Sequence, residues 1–223
     1  MELIASGRDC DVYALGPDRV LRRSRHGRDA GREAALMRYL AEAGFPVPKV
    51  HDASGPDLVM ERLDGETLLA SFLAGTTDPT TGAAILAELH ERLHALPPPS
   101  ADPSGARIIH LDLHPDNVML TSRGPVLFDW ANAIEGSPDR DVAMTLLIMA
   151  QVTLWTHEPA LAEIAVDGFA ALRSALPPPS PGALAWVVDM RRANPTMTPT
   201  ELTQLDQAAA LVPTASTEAT APY

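Results

Sequence analysis

The chain has 223 residues, 46% hydrophobic and 21% charged, enough to bury one sizeable core or two small lobes sharing a cleft. Its net charge of −12, with no basic patch, excludes nucleic acid as the main partner, because neutralising phosphates takes clustered cations. A single cysteine, Cys10, rules out an internal disulfide or a cysteine-built zinc site and makes a reducing cytoplasm the expected compartment.

Residues 1–11 carry no basic region followed by an apolar core, so no secretory signal is expected. Val12 to Leu15 and Arg19 to Arg23 read as strands joined by the turn Gly16-Pro17-Asp18. A helix is expected from about Asp29 to Ala43, with Ala34, Met37, Leu40 and Ala41 at helical spacing and Gly44 as its stop. Phe45-Pro46-Val47-Pro48 is held extended by its prolines, a short strand begins at Val50, and Asp57 to Glu61 forms another, closed by Asp64-Gly65.

Beyond Gly65 the pattern turns helical. Thr81 to Leu96 places Ile85, Leu86, Leu89 and Leu93 on one stripe and ends at three prolines. His90 and His94, four apart, are expected on the surface of that helix, with no carboxylate evidently placed to complete a metal site. Ser137-Pro138 is a cap and first helical position for a helix to about Thr153. Its apolar stretch, Val142 to Trp155, is too short and too often interrupted to span a bilayer, so no membrane partner is expected. Further helices are expected over 159–176, 183–192 and, from the capping box Thr198-x-x-Glu201, to about Leu211. Residues 212–223, rich in Thr, Ala and Pro, are expected to be frayed.

The chemistry concentrates in His110-Leu111-Asp112-Leu113-His114-Pro115-Asp116-Asn117. Val118 to Leu120 and Val126 to Phe128 flank the turn Thr121 to Pro125, an antiparallel hairpin pattern that brings Asn117 and Asp129 to one mouth beside the loop carrying Asp112. A carboxylate and an amide oxygen suit Mg2+, and a further carboxylate suits orientation of an accepting hydroxyl. An Asp, an Asn five positions on and a later metal-binding Asp is the arrangement of kinases that transfer phosphoryl groups from ATP.

On that stretch together with Leu127-Phe128-Asp129-Trp130, the chain resembles the aminoglycoside-phosphotransferase-like (APH and choline-kinase-type) branch of the protein-kinase-like fold. Asp141-Val142-Ala143, the helix phrase Leu89 to His94 and the 45–48 connector add to the likeness, which covers roughly residues 5–150. It implies an α+β, bilobal fold: a small antiparallel-sheet N-lobe with one helix over 1–63, a mostly helical C-lobe over 64–211, then the tail. It implies Asp112 as the base, Asn117 and Asp129 on the metal, and ATP and Mg2+ as cofactors. A phosphate loop falls on Ser6 to Asp11 with a single glycine, Gly7. The phosphate-binding lysine of the family falls on Arg22, or on its neighbour Arg23, paired with Glu33; Lys49, the only lysine, follows the helix and cannot serve. Backbone groups of Glu61 and Leu63 would meet a purine. His110 and Asp141 would brace the site, and His114 would shape the loop.

The implied activity is transfer of the γ-phosphate of ATP to a hydroxyl of a small molecule. The acidic residues Glu158, Glu163, Asp167, Asp189 and Glu201 suit an amino sugar or another amine-bearing alcohol, or are simply solvated surface. Arginine in place of lysine and the single-glycine loop motivate an alternative, a catalytically weak or inactive nucleotide-binding regulatory protein of the same fold. A remoter alternative is a metal-dependent hydrolase using alternating His110, Asp112, His114 and Asp116, which Pro115 disfavours because it breaks a strand.

Overall fold

The structure is a computed structural model describing residues 1–100, 105–155 and 159–215. The first lobe contains β1 (Glu2–Ser6), β2 (Cys10–Ala14), β3 (Arg19–Ser24), α1 (Gly31–Glu42), β4 (Val50–Ser54) and β5 (Asp57–Glu61). Its strands form one antiparallel sheet in the order β1-β2-β3-β5-β4. Helix α1 buries Ala34, Met37 and Leu40, three residues apart on one face, and the chain leaves it through Gly44 at φ 78°. The sheet so placed presents alternate residues of β3 to opposite faces, which decides which arginine enters the cleft.

The second lobe begins with β6 (Gly65–Thr67), α2 (Leu68–Ala74) and α3 (Pro79–Ala95). Next come β7 (Arg107–Ile109), the hairpin β8 (Val118–Thr121) and β9 (Gly124–Leu127), and β10 (Ile134–Gly136). Four helices complete it: α4 (Pro138–Trp155), α5 (Pro159–Ala175), α6 (Pro181–Arg192) and α7 (Pro199–Leu211). Every residue of α4 from Asp141 to Ala150 is buried, with α5, α6 and α7 packed around it. None of the described helices is long and apolar enough to cross a membrane.

This is the expected α+β arrangement, an antiparallel-sheet N-lobe joined to a helical C-lobe. The differences are mostly three-residue elements, too short for a hydrophobic period to register. β6 pairs with β8 and β10 pairs with β7, and this second ladder fixes the chain entering the catalytic loop against the chain leaving Asp129. The expectation for His90 and His94 fails outright: both point inward from α3, His90 to 2% exposure, because Asp141 at the start of α4 provides the carboxylate that sequence distance hid.

The lobes are tied at several points. Leu127 N–H donates to Pro46 O (3.0 Å), so the proline connector runs beside β9, and Tyr39 Oη–H donates to Pro97 O (2.8 Å). Arg123 at the hairpin tip grips Glu61 at the end of β5 with two hydrogen bonds, 2.6 and 2.9 Å. After α7, Val212 is buried and Ala215 N–H donates to Pro179 O (2.9 Å). Residues 216–223 of the expected frayed segment lie outside the described residues, as does Glu158.

Candidate active site

The floor of the site is the loop between β7 and β8, and Asp141 shapes it. Its Oδ2 accepts from His110 N–H (3.0 Å) and its Oδ1 from Leu111 N–H (2.7 Å), while His94 Nε2 lies 2.9 Å from Oδ2. Leu111 sits at φ 61°, a left-handed conformation that costs a non-glycine residue about 1–3 kcal/mol. Its buried side chain and the Asp141 bond hold it there. Burial opposes ionisation of Asp141, but the His90 ring 3.6 Å away and the bond from His94 outweigh it and hold the carboxyl far below the usual range. The reversal at Leu111 turns the next side chain, Asp112, toward the cleft, where it is about a quarter exposed.

Asn117 ends the single turn 115–117 and is buried. Its Nδ2–H donates to Asp112 O (2.9 Å) and reaches Asp112 Oδ2 (3.3 Å), which commits the nitrogen and leaves Oδ1 as the amide's acceptor. His114 caps the same turn, its Nδ1 accepting from Asp116 N–H (3.3 Å), and its Nε2 lies 3.6 Å from Asp112 Oδ1. Phe128 N–H donates to Asn117 O (3.0 Å), closing the mouth of the hairpin and bringing Asp129 beside Asn117. Asp129 is also left-handed, at φ 62°. Behind it Trp130 is buried, donating Nε1–H to Leu127 O (3.0 Å) and meeting Phe45 and His110 edge to face.

His110 is fully buried, its Nε2–H donating to Phe128 O (3.2 Å), one residue before Asp129. Burial pushes its pKa down, against the pull of Asp141, Asp112 and Asp129, so the ring is neutral. The four residues of the hydrolase alternative therefore share no face: His110 points to Phe128, His114 caps a turn, and Asp116 is exposed.

From the first lobe, Arg22 of β3 pairs with Glu33 of α1 through Nη1 and approaches Asp129 Oδ1 (3.5 Å) through Nη2. Burial works against the charge on Arg22, but Asp129 and Glu33 outweigh it and raise its pKa. Arg23, one residue on, lies on the other face, exposed and paired with Asp57 at 2.6 Å. The half-buried thiol of Cys10 neighbours the same group, its pKa raised by burial.

Gly7 opens the three-residue turn between β1 and β2, its N–H donating to Cys10 O (2.9 Å). A Cβ there would meet that oxygen at an ordinary 3.6 Å, so the fold itself does not demand glycine. At the other end of the cleft, Glu61 N–H goes to Lys49 O (2.8 Å) and its carboxylate to Arg123, so a base there would have to meet its carbonyl. Leu63 follows, half-buried, in the irregular connector to β6.

The donor set offered by Asn117 Oδ1 and the Asp129 carboxylate is all oxygen, which fits a hard divalent cation such as Mg2+. A guanidinium and a second carboxylate, Asp112, complete a group able to hold polyphosphate and a hydroxyl at once. Sequence reading missed one partner here. Arg8, in the β1–β2 turn, crosses to α7 and grips Glu201 (2.7 and 3.2 Å), a residue that also closes its helix's capping box. A family motif did not point to it, because the pair joins elements 193 residues apart in the chain.

Comparison with known proteins bears on the family and the fold. A curated relative, the EKC/KEOPS complex subunit BUD32 of Encephalitozoon cuniculi (strain GB-M1), is 28% identical over 127 residues, 57% of this chain; the match spans 58% of that relative's length. Among solved structures, a gentamicin complex of APH(2")-IIa superposes with a TM-score of 0.58 at 13% identity, covering 95% of this chain and 91% of that one. An aminoglycoside-3'-phosphotransferase of type VIII gives 0.54 at 21% identity, with 83% and 89% covered. A choline/ethanolamine kinase family protein from Mesorhizobium loti gives 0.55 at 15%, with 94% and 85% covered. A model of the phosphotransferase enzyme family matches residues 1–107 and 84–179, and the chain belongs to that family.

Proposed function

We propose that the protein transfers the γ-phosphoryl group of ATP to a hydroxyl of a small molecule bound between its lobes. The observation that carries this reading is the convergence of Asp112, Asn117, Asp129 and the Arg22–Glu33 pair on one cleft. Asn117 Oδ1 and Asp129 would hold magnesium, which supplies charge neutralisation on the phosphate oxygens. Arg22, aimed by Glu33, would bind phosphate oxygens with its planar fork, a task a guanidinium performs in place of an ammonium. Asp112 would accept a hydrogen bond from the acceptor hydroxyl, orient it for in-line attack and take its proton. The Asn117 amide and His114 ring beside Asp112 keep that carboxylate in one orientation.

A second reading, nucleotide binding with weak or no transfer, draws support from Arg22 standing where the family has lysine and from the engagement of Arg8 by Glu201. One experiment separates them: ATP binding by calorimetry and ATP consumption against a panel of alcohols, for the wild type and Asp112→Ala. The transfer reading expects acceptor-stimulated consumption that Asp112→Ala abolishes while ATP still binds. Full transfer by that variant would sink it, and binding without stimulation by any acceptor favours the second reading.

A further inference from the structure

Behind the catalytic loop, α3 and α4 meet in a cluster of His90, His94 and Asp141 that takes no direct part in the proposed transfer. His90 and Asp141 are buried, and the His94 side chain is 14% exposed. His94 Nε2 lies 2.9 Å from Asp141 Oδ2, and His90 Nδ1 lies 3.6 Å from the same oxygen, too far for a hydrogen bond. One ligand atom from each of the three residues falls within 4.8 Å of the other two. A tetrahedral zinc ion with ligands at about 2.0–2.1 Å sets them about 3.3 Å apart. The two separations from Asp141 straddle that value, so an ion need only draw the two rings together.

The surrounding hydrogen bonds fix which nitrogen of His90 carries its proton. Thr145 Oγ1–H donates to Leu113 O (2.8 Å), so its oxygen is left to accept from His90 Nε2–H (3.0 Å). In the neutral ring Nδ1 is then a lone pair, buried without a hydrogen-bond partner. It faces an Asp141 oxygen that already accepts from His110 N–H (3.0 Å). A buried lone pair turned on a carboxylate is both unpaired and repelled, and a cation between the two resolves both.

Two imidazoles four residues apart on one helix, with one carboxylate, form an established zinc donor set. In such sites the ring nitrogen away from the metal donates to a neighbouring oxygen, as His90 Nε2–H does to Thr145. His90-Glu91-Arg92-Leu93-His94 even has the His-Glu-x-x-His order of zinc hydrolases, but Glu91, which would be their general base, is exposed. The arrangement therefore suits holding an ion, not hydrolysis. It also differs from the all-oxygen pair Asn117 and Asp129, which suits Mg2+.

We infer that His90 Nδ1, His94 Nε2 and Asp141 Oδ2 form a structural site for a zinc-class divalent cation, separate from the magnesium site of the cleft. The ion takes the place of the proton between His94 and Asp141, His94 then carrying its proton on Nδ1, and the partly exposed His94 side admits solvent to the fourth position. Asp141 holds the catalytic loop at His110 and Leu111, and Thr145 holds it at Leu113, so the ion braces the backbone on both sides of Asp112. None of this depends on whether the cleft transfers phosphate.

The test is a Zn2+ titration of the tag-free full chain, stripped with a chelator and held in excess Mg2+. About one Zn2+ per chain should bind, survive dialysis and raise the urea midpoint, and Co2+ in its place should give the visible absorption of a four- or five-coordinate ion. His94→Gln should abolish this binding, and Thr145→Val should weaken it about 10–100-fold. His114→Gln, which removes the imidazole beside Asp112, should leave it within about twofold. No Zn2+ bound by the stripped wild type overturns the inference, and a proton alone then joins the three residues. Loss of Zn2+ in His114→Gln with retention in His94→Gln overturns it too, by putting the ion in the cleft. If His94→Gln does not fold, Thr145→Val decides: unchanged Zn2+ affinity in that variant overturns the site. The phosphotransferase reading fails on a different result, full transfer by Asp112→Ala.

Discussion

Arg22 holds Glu33 through one η nitrogen and stands 3.5 Å from Asp129 through the other, so a single guanidinium joins the sheet, α1 and the end of the β8–β9 hairpin. Arg23 offers the same chemistry on the opposite face and reaches none of them. Arg22→Ala should weaken ATP binding about tenfold or more, measured by calorimetry with Mg2+ present, while Arg23→Ala stays within about twofold. Equal effects would mean that the β3 arginine facing the cleft does not bind phosphate.

His110 makes stability pH-dependent with a definite sign. Its folded pKa lies below the unfolded value, so below about pH 6.5 the unfolded chain takes up a proton that the native ring refuses. Its contribution is complete at high pH and is lost as pH falls, by about 1.4 kcal/mol per unit until the native ring titrates. His110→Gln keeps a donor for Phe128 O and should flatten this part of the urea-denaturation profile between about pH 6.5 and 5.

Asp141 is shifted in the same direction, downward, but because its charged form is the favoured one; its stabilisation is present above the unfolded pKa of about 3.9 and is lost as pH falls below it. Asp141→Asn removes the charge that two backbone N–H groups and the His94 ring engage, and should cost about 3–5 kcal/mol by urea denaturation at pH 7. Because Leu111 depends on that anchor, residual activity should fall further than the folded fraction does.

Two glycines should respond differently. Gly65 sits at φ 154°, and a Cβ there would lie 2.0 Å from Leu120 O in the paired strand, so Gly65→Ala should cost more than about 2 kcal/mol. Gly7→Ala meets no such obstacle and should leave the thermal midpoint within about two degrees. A loss of ATP affinity in Gly7→Ala without loss of stability would mark close approach of phosphate to that turn.

Cys10 lies beside Arg22, with burial holding its thiol above the usual pKa. Alkylation should therefore be slow at pH 7 and faster at higher pH, and Mg-ATP should protect the thiol. A rate unchanged by saturating nucleotide would place the phosphates elsewhere.

The amino-acid order alone determined the local elements and the chemical core. Three-residue apolar spacing marked α1, Thr198 and Glu201 marked the start of α7, and the turn after Leu120 brought Asn117 and Asp129 together. Each relation spans a short stretch whose period or turn chemistry is readable without a partner. Tertiary structure decided everything that needed two distant elements to meet. Which β3 arginine faces the cleft depends on the face covered by α1. His94 reaches Asp141 across 47 residues and Arg8 reaches Glu201 across 193, separations over which no local pattern carries information. The three-residue strands β6, β7 and β10 exist only because their partners supply the other half of each ladder. Arg191 was one arginine among sixteen until the packing at the end of α6 buried its Nε without a hydrogen-bond partner.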